Sequence, residues 1–218
     1  SYPFDSAEPL ASWQQLVREF PRDDLAPQTQ ILIAQTWQQR GDNAKALTEY
    51  NRVLTSFPKS KWANDARAAI QQITRREISL DTLAPQPPGK NAQINISTRN
   101  IKTVNFAAYR VKLEDVLTQA DKLQNGGVSF TEFSDNFGSI QNARKFFGPR
   151  VAQWTLQTKD KNDYERVTET ISAPIQEVGA YVIVADAGSV RFARVLILSD
   201  LALIKKTDRN RSFVYVAD

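Results

Sequence analysis

The sequence predicts an α+β chain of two domains, N-terminal α-helical hairpins followed by an antiparallel β-sandwich with a helical or irregular insertion. Three observations predict it. Residues 1–83 space their apolar side chains at the 3.6-residue period of amphipathic helices. Residues 84–90, APQPPGK, carry three prolines and a glycine, the composition of a stiff extended linker. From residue 91 the period falls to two. Residues 177–206 are the most sheet-like stretch, with apolar runs at 181–185, 190–198 and 201–204 and a turn signal at 186–189. The domains are therefore 1–83, a linker at 84–90, and a sandwich over 91–218 with an insertion at 114–150.

The first helix is expected over 12–20. Trp13, Leu16, Val17 and Phe20 share one face, Ser12 is the N-cap and Pro21 the stop. A second runs from about 27 to 40, packing through Ile33, Ala34 and Trp37, and ends at Gly41-Asp42. A third runs from 43 to 57 with Ala46, Leu47, Tyr50, Val53 and Leu54 inward, and Pro58 follows it. A fourth, 60–76, carries Trp62, Ala66, Ala69, Ile70 and Ile73. The pattern Trp13-Leu16-Val17-Phe20-Pro21 recurs as Tyr50-Val53-Leu54-Phe57-Pro58, 37 residues on. With Trp37, Gly41-Asp42 and Ala46, this resembles the tetratricopeptide repeat over one full unit, about 27–58. Asn43 and Val53 depart from the pattern, where an aromatic and Ala are usual. Half a repeat precedes the full unit and one helix follows it, which reads as truncation of a longer array. The resemblance implies a peptide groove lined by the first helix of each pair. Gln28, Gln35 and Gln38 would face it, beside the plainer reading of a solvated polar face.

After the linker, 91–99 alternates with Ile94 and Ile96 inward, and Arg99-Asn100 turns the chain. Residues 104–113 follow, with Ala107, Tyr109, Val111 and Leu113 on one face. A short helix fits 113–120. Residues 121–148 are irregular, and Phe130, Phe133, Phe137, Phe146 and Phe147 supply a packing cluster near the end of the insertion. Strands resume at Val151, with Ala152, Trp154 and Leu156 inward, then at 164–172, with Pro174 closing that strand. The hairpin of 177–198 follows, then 201–206 and 213–216. That makes seven or eight strands at sandwich spacing.

Composition narrows the function. The chain has no Cys and no His, so it holds no thiol nucleophile, no Ser-His-Asp triad and no zinc site built on these side chains. Its 28 basic and 24 acidic residues are spread along the chain rather than gathered into the patch of a nucleic-acid binder. No apolar run approaches the ~20 residues of a transmembrane helix. The absence of Met and the start at Ser1 read as a mature or excised fragment. Among Asp, Glu and Lys, no spacing singles out an acid–base pair. The segment 121–132, DKLQNGGVSFTE, meets part of the EF-hand pattern through Asp121, Asn125 and Glu132. Leu123 stands where a third oxygen ligand belongs, so the preferred reading is a Gly-Gly turn, with those three residues as the calcium alternative.

The segments Asn95-Ile96-Ser97 with Thr98-Arg99-Asn100-Ile101, then Val104-Asn105-Phe106 and 109–114 (YRVKLE), resemble the first macroglobulin domain of bacterial alpha-2-macroglobulin-like proteins. So do Gly179-Ala180-Tyr181 with its following strand, and 196–206 (LILSDLALIKK), which resembles the passage into a second such domain. The resemblance covers about 91–218. It implies a non-enzymatic structural and interaction fragment of an endopeptidase inhibitor in the bacterial cell envelope. That protein would be periplasmic, cell-surface or secreted, and would contact proteins or peptides, proteases among them, with no cofactor. It also implies that a second sandwich starts at about residue 201 and is cut at Asp218. The family's thioester is not carried over, since the chain lacks Cys. The alternative is a peptide-binding tetratricopeptide adaptor with the sandwich as spacer.

Overall fold

The computed structural model describes residues 7–82, 85–112, 144, 147–208 and 211–217. They divide into two compact units, Ser1–Arg75 with Asp160–Glu165, and Arg76–Lys159 with Arg166–Asp218.

The first unit is built from α1 (Ala7–Glu19), α2 (Ala26–Gln39), α3 (Asn43–Ser56) and α4 (Trp62–Thr74). Each packs on the next, and α2 also touches α4. The core joins Ile31 and Ala34 of α2, Ala46, Leu47, Tyr50 and Val53 of α3, and Ala66 and Ile73 of α4. The α2–α3 turn has a clear local cause. Gly41 sits at φ 78°, where a side chain would be strained. Its N–H bonds to Gln38 O (3.0 Å), and Asp42 N–H to Trp37 O (2.9 Å). This pair of bonds is the Schellman termination. Asp42 then caps α3, its carboxylate accepting from Lys45 N–H at 3.0 Å and pairing with Lys45 Nζ at 2.8 Å.

The ends of this unit depart from expectation. The first helix begins at Ala7 rather than Ser12, with Pro9 in its first turn, where a missing N–H costs nothing. Phe20 lies beyond the helix and is 58% exposed. Its Pro21 neighbour and the 20–25 loop, tied by Asp23 Oδ1 to Leu25 N–H, carry it off the apolar face. The fourth helix is shorter than 60–76 by two residues at each end.

The second unit contains two antiparallel sheets. One is ordered β1 (Glu77–Thr82), β2 (Ala92–Arg99), β5 (Arg166–Ala173). The other is ordered β4 (Phe147–Gln157), β3 (Thr103–Val111), β6 (Gly179–Asp186), β7 (Arg191–Leu198). Ile94 and Ile96 of one sheet and Val104, Phe106, Tyr181, Ile183, Leu196 and Leu198 of the other share one buried cluster, the core of the sandwich. Phe106 and Trp154 stack there with ring centroids 4.9 Å apart. The β6–β7 hairpin closes as expected over 187–190, with Gly188 at φ 81° and its N–H on Asp186 Oδ1 (2.7 Å). A further hairpin, β8 (Ala202–Asp208) and β9 (Arg211–Ala217), forms a two-stranded sheet of its own.

Four sequence expectations are corrected beyond the helices. Residues 77–82, assigned to the helical domain, form β1 and pair with β2 from Glu77↔Arg99 to Thr82↔Ile94. The Pro-rich segment, expected as a stiff extended connector, is tied into the sandwich through its described residues 85–90. Gln86 N–H bonds to Ile197 O (3.1 Å), Ser199 N–H to Gln86 O (2.9 Å), and the Gln86 amide exchanges two 2.8 Å bonds with the Gln93 backbone. On β3 the core face is Val104, Phe106 and Ala108, not Ala107 and Tyr109. Val111 lies on the opposite face, in a second apolar cluster with Ala180, Val182, Ala193 and Val195, so both faces of β3 carry buried side chains and alternation alone does not say which is the sandwich core. Finally, Tyr164 does not start a strand. It sits at φ 64°, and β5 begins at Arg166. Tyr164 packs with the helical cluster, where Asn43 Nδ2 also donates to Glu165 Oε1 at 2.7 Å.

Candidate functional site

A groove of about 720 Å³ opens in the helical unit. Gln14, Val17, Arg18 and Pro21 line it from α1 and its exit, Gln30, Ile33 and Trp37 from α2, and Lys45, Glu49, Arg52, Ser56 and Phe57 from α3 and its C-cap. On α2 the residues at 30, 33 and 37 form one stripe at about 100° per residue. Ile33 is buried, and Trp37 is half-buried at the rim of the core. On α3 the stripe 45, 49, 52, 56 runs beside the buried positions 46, 50 and 53.

The polar floor is a buried carboxylate. Glu49 is 7% exposed. Its Oε2 accepts from Gln30 Nε2 at 2.7 Å, and Arg52 Nη1 reaches both carboxylate oxygens at 2.8 Å. Each buried polar group of the pair thus has a partner, as burial demands. Above it, Lys45 Nζ lies 4.3 Å from the Trp37 ring centroid and the Arg40 guanidinium 5.4 Å. Two cations over one indole are favourable through the ring quadrupole. On α1, Arg18 Nε bonds Gln14 O at 3.2 Å. The Tyr50 hydroxyl donates to Gln38 Oε1 at 2.8 Å, and burial pushes its pKa above the ordinary value.

Of the residues singled out from sequence, Gln28 and Gln35 are exposed on the side of α2 opposite the 30–33–37 stripe. Gln38 is half-buried, its carbonyl engaged by Tyr50. The structure therefore does not bring these three together with the groove. Asp121, Asn125 and Glu132 lie outside the described residues. Gln30, Lys45, Glu49 and Arg52 escaped the sequence reading. Glu49 sits among the apolar positions of α3, and a charge on a buried face was the one available signal.

In the sandwich, segments far apart in sequence meet at Arg110. Its Nη2 donates to Val178 O (3.1 Å) and Tyr181 Oη (3.3 Å), with Glu177 Oε2 at 3.4 Å. Tyr181, 1% exposed, donates its hydroxyl to Glu177 O at 2.8 Å. Gly179 lies beneath at φ 155°, where a Cβ would come within 3.3 Å of Tyr181 Oη. The arrangement locks the start of β6 to β3 and offers no nucleophile. Among the described residues, no three acidic groups gather into a metal cage, and no helix is long and apolar enough to cross a membrane.

No protein-family model and no curated protein matches the sequence. Among solved structures, the chain is similar to native alpha-2-macroglobulin from Escherichia coli spanning domains MG0-NIE-MG1, at 16% identity and TM-score 0.47 over 65% of this chain. It is likewise similar to the NIE-MG1 fragment of that protein, at 16% identity and TM-score 0.45 over 66% of this chain. A red sea bream transglutaminase gives TM-score 0.28 at 11% identity, over 76% of this chain and 24% of that one. The chain spans 45% of the length of the first of these structures and 69% of the second.

Proposed function

We propose that this chain is a non-enzymatic structural and interaction portion of an alpha-2-macroglobulin-like endopeptidase inhibitor, working in the periplasm, at the cell surface or outside the cell. The observation that carries the reading is the junction at Arg110. The Tyr109-Arg110-Val111 segment and the Gly179-Ala180-Tyr181 segment, which carry the sequence resemblance, are in contact through Arg110, Val178 and Tyr181. The Arg99-Asn100 turn lies between β2 and β3, with Asn100 at φ 56°. On this reading the sandwich is a first macroglobulin domain, and the β8–β9 hairpin begins a second from about residue 201. The helices α1–α4 serve as a contact module, and the sandwich takes in β1 and the Pro-rich segment that follows it. Any protease trapping lies in the rest of the protein, because this chain has no Cys for a thioester.

The test uses the full-length protein. Incubated with a general endopeptidase, it is expected to be cleaved at few sites. The protease should then lose activity on a large protein substrate while keeping it on a small chromogenic peptide. Equal residual activity on both substrates, or an open reading frame that closes near Asp218, overturns the reading.

A further inference from the structure

Beyond the inhibitor reading, and without resting on it, we propose that the outer edge of β4 pairs with the same edge of a second copy of this chain, antiparallel about a twofold axis at Thr155. An exposed sheet edge is a template for another strand, and charges, prolines, bulges or a covering segment normally blunt it. The four edge strands of the sandwich differ in this respect. β7 carries Arg191 and Arg194, and Gln86 N–H bonds near its end to Ile197 O (3.1 Å). β5 carries Arg166 and Glu169, whose side chain is 8% exposed. β1 carries Glu77 and Asp81. From Ala152 to Gln157, β4 has no charge and no proline. Its register with β3 runs unbroken from Thr103↔Gln157 to Ala108↔Ala152, and both irregularities fall on the other side of Ala152.

Backbone direction defines what this edge offers. Thr158 N–H bonds to Lys102 O at 2.9 Å, one pair beyond Thr103↔Gln157. Bonded and unbonded pairs alternate along an antiparallel ladder. Leu156, Trp154 and Ala152 therefore direct their N–H and C=O at β3, and Gln153, Thr155 and Gln157 direct theirs away from it. Among the described residues, β4 pairs with β3 alone. The side chains of Gln153, Thr155 and Gln157 are exposed and uncharged, while Trp154 and Leu156 are half-buried at the margin of the core.

A second copy complements this row. An axis at Thr155 sets Gln153 against Gln157 and Thr155 against its own counterpart, so each outward N–H and C=O of the three residues meets a partner. On the core side, Trp154 of each copy then lies beside Leu156 of the other, extending the apolar layer in which Trp154 stacks on Phe106. Such aromatic–aliphatic and Thr–Thr cross-strand neighbours are favourable, and no charged residue lies within the 153–157 pairing. One patch meets itself, so the contact closes at two copies.

Sedimentation velocity of the 218-residue chain, from about 1 to about 300 μM, reads the association, because so short an interface belongs to the weak class. A monomer–dimer equilibrium is expected. Thr155→Lys, which sets two ammonium groups face to face, should raise the dissociation constant at least tenfold. Thr168→Lys, on the exposed face of β5, should leave it unchanged. Cysteine mapping fixes the register and does not depend on the lysine variant folding, since the chain has no Cys of its own. Opposed bonded residues lie about 5.5 Å apart, within reach of a disulfide. Thr155→Cys should therefore oxidise to a covalent dimer, and so should a mixture of Gln153→Cys and Gln157→Cys chains. Gln153→Cys alone should not, because its two copies stand four residues apart, about 13 Å. A monomer at every concentration overturns the proposal, as does a dimer indifferent to Thr155→Lys or lost in Thr168→Lys. Cross-linking of Gln153→Cys alone as efficient as that of Thr155→Cys also overturns it.

Discussion

Replacing Glu49 by Ala tests which interaction holds the helical unit together. Two partners meet this carboxylate, and they differ in exposure. Arg52 has a side chain 59% exposed, against 9% for Glu49. An ion pair with one arm in water is worth about 0–1 kcal/mol. Gln30 is 4% exposed, so losing its acceptor strands a buried amide at a cost of about 1–3 kcal/mol. The lost packing of the buried methylene stem adds about 1 kcal/mol. Alanine's better helix propensity returns a few tenths of a kcal/mol. Glu49→Ala is therefore expected to destabilise the unit by about 2–4 kcal/mol, and Arg52→Ala by less than about 1 kcal/mol. Glu49→Gln keeps an acceptor for Gln30 and should fall between them. Replacing Gln30 and Glu49 together by Leu should recover much of the loss, because no buried polar group is then left alone. Urea unfolding followed by far-UV circular dichroism measures each value, and a double-mutant cycle isolates the coupling. An Arg52→Ala cost equal to that of Glu49→Ala would refute the argument, and so would a Glu49→Ala variant within about 0.5 kcal/mol of the parent.

Three further predictions concern single contacts. Tyr181→Phe removes the hydroxyl between Glu177 O and Arg110 and should cost the sandwich about 1–2 kcal/mol, read as a lowered denaturation midpoint with unchanged slope. Gly148→Ala places a Cβ 2.8 Å from Arg110 O, backbone that cannot swing away, and should cost about 1–3 kcal/mol in the same assay. Asp42 is held below its ordinary value of 3.8, first by the hydrogen bond with the Lys45 side chain and then by the Lys45 N–H. A depressed folded pKa means that its contribution is full above pH 3.8 and is lost as pH falls through the lower folded value. The stability gap between parent and Asp42→Asn should therefore narrow on acidification below pH 3.8, as followed by helical dichroism. A gap that widens there contradicts the assignment.

Local chemistry was legible in the sequence because its causes are local. Gly41-Asp42 ends one helix and caps the next through bonds spanning at most five residues. The alternation of β2 and the Gly188 turn followed from pleat and backbone freedom. The groove was not legible, because its charge balance depends on which of Arg18, Lys45, Glu49 and Arg52 share one side of a three-helix surface. Gln28 and Gln35 looked like binding residues from helix position alone, and packing set the groove on the other side of α2.

By itself, then, the sequence determined the α+β class, the four helices with the Gly41-Asp42 break between the second and third, and the strands that follow the prolines. Tertiary structure alone decided that 77–82 is a strand, because only the row of partners on β2 satisfies its backbone. It decided which face of β3 is core, because a two-residue period reads the same whichever face is covered by the second sheet. It also decided that Glu49 is buried and satisfied, because its partner Gln30 lies nineteen residues away on another helix, beyond any local pattern.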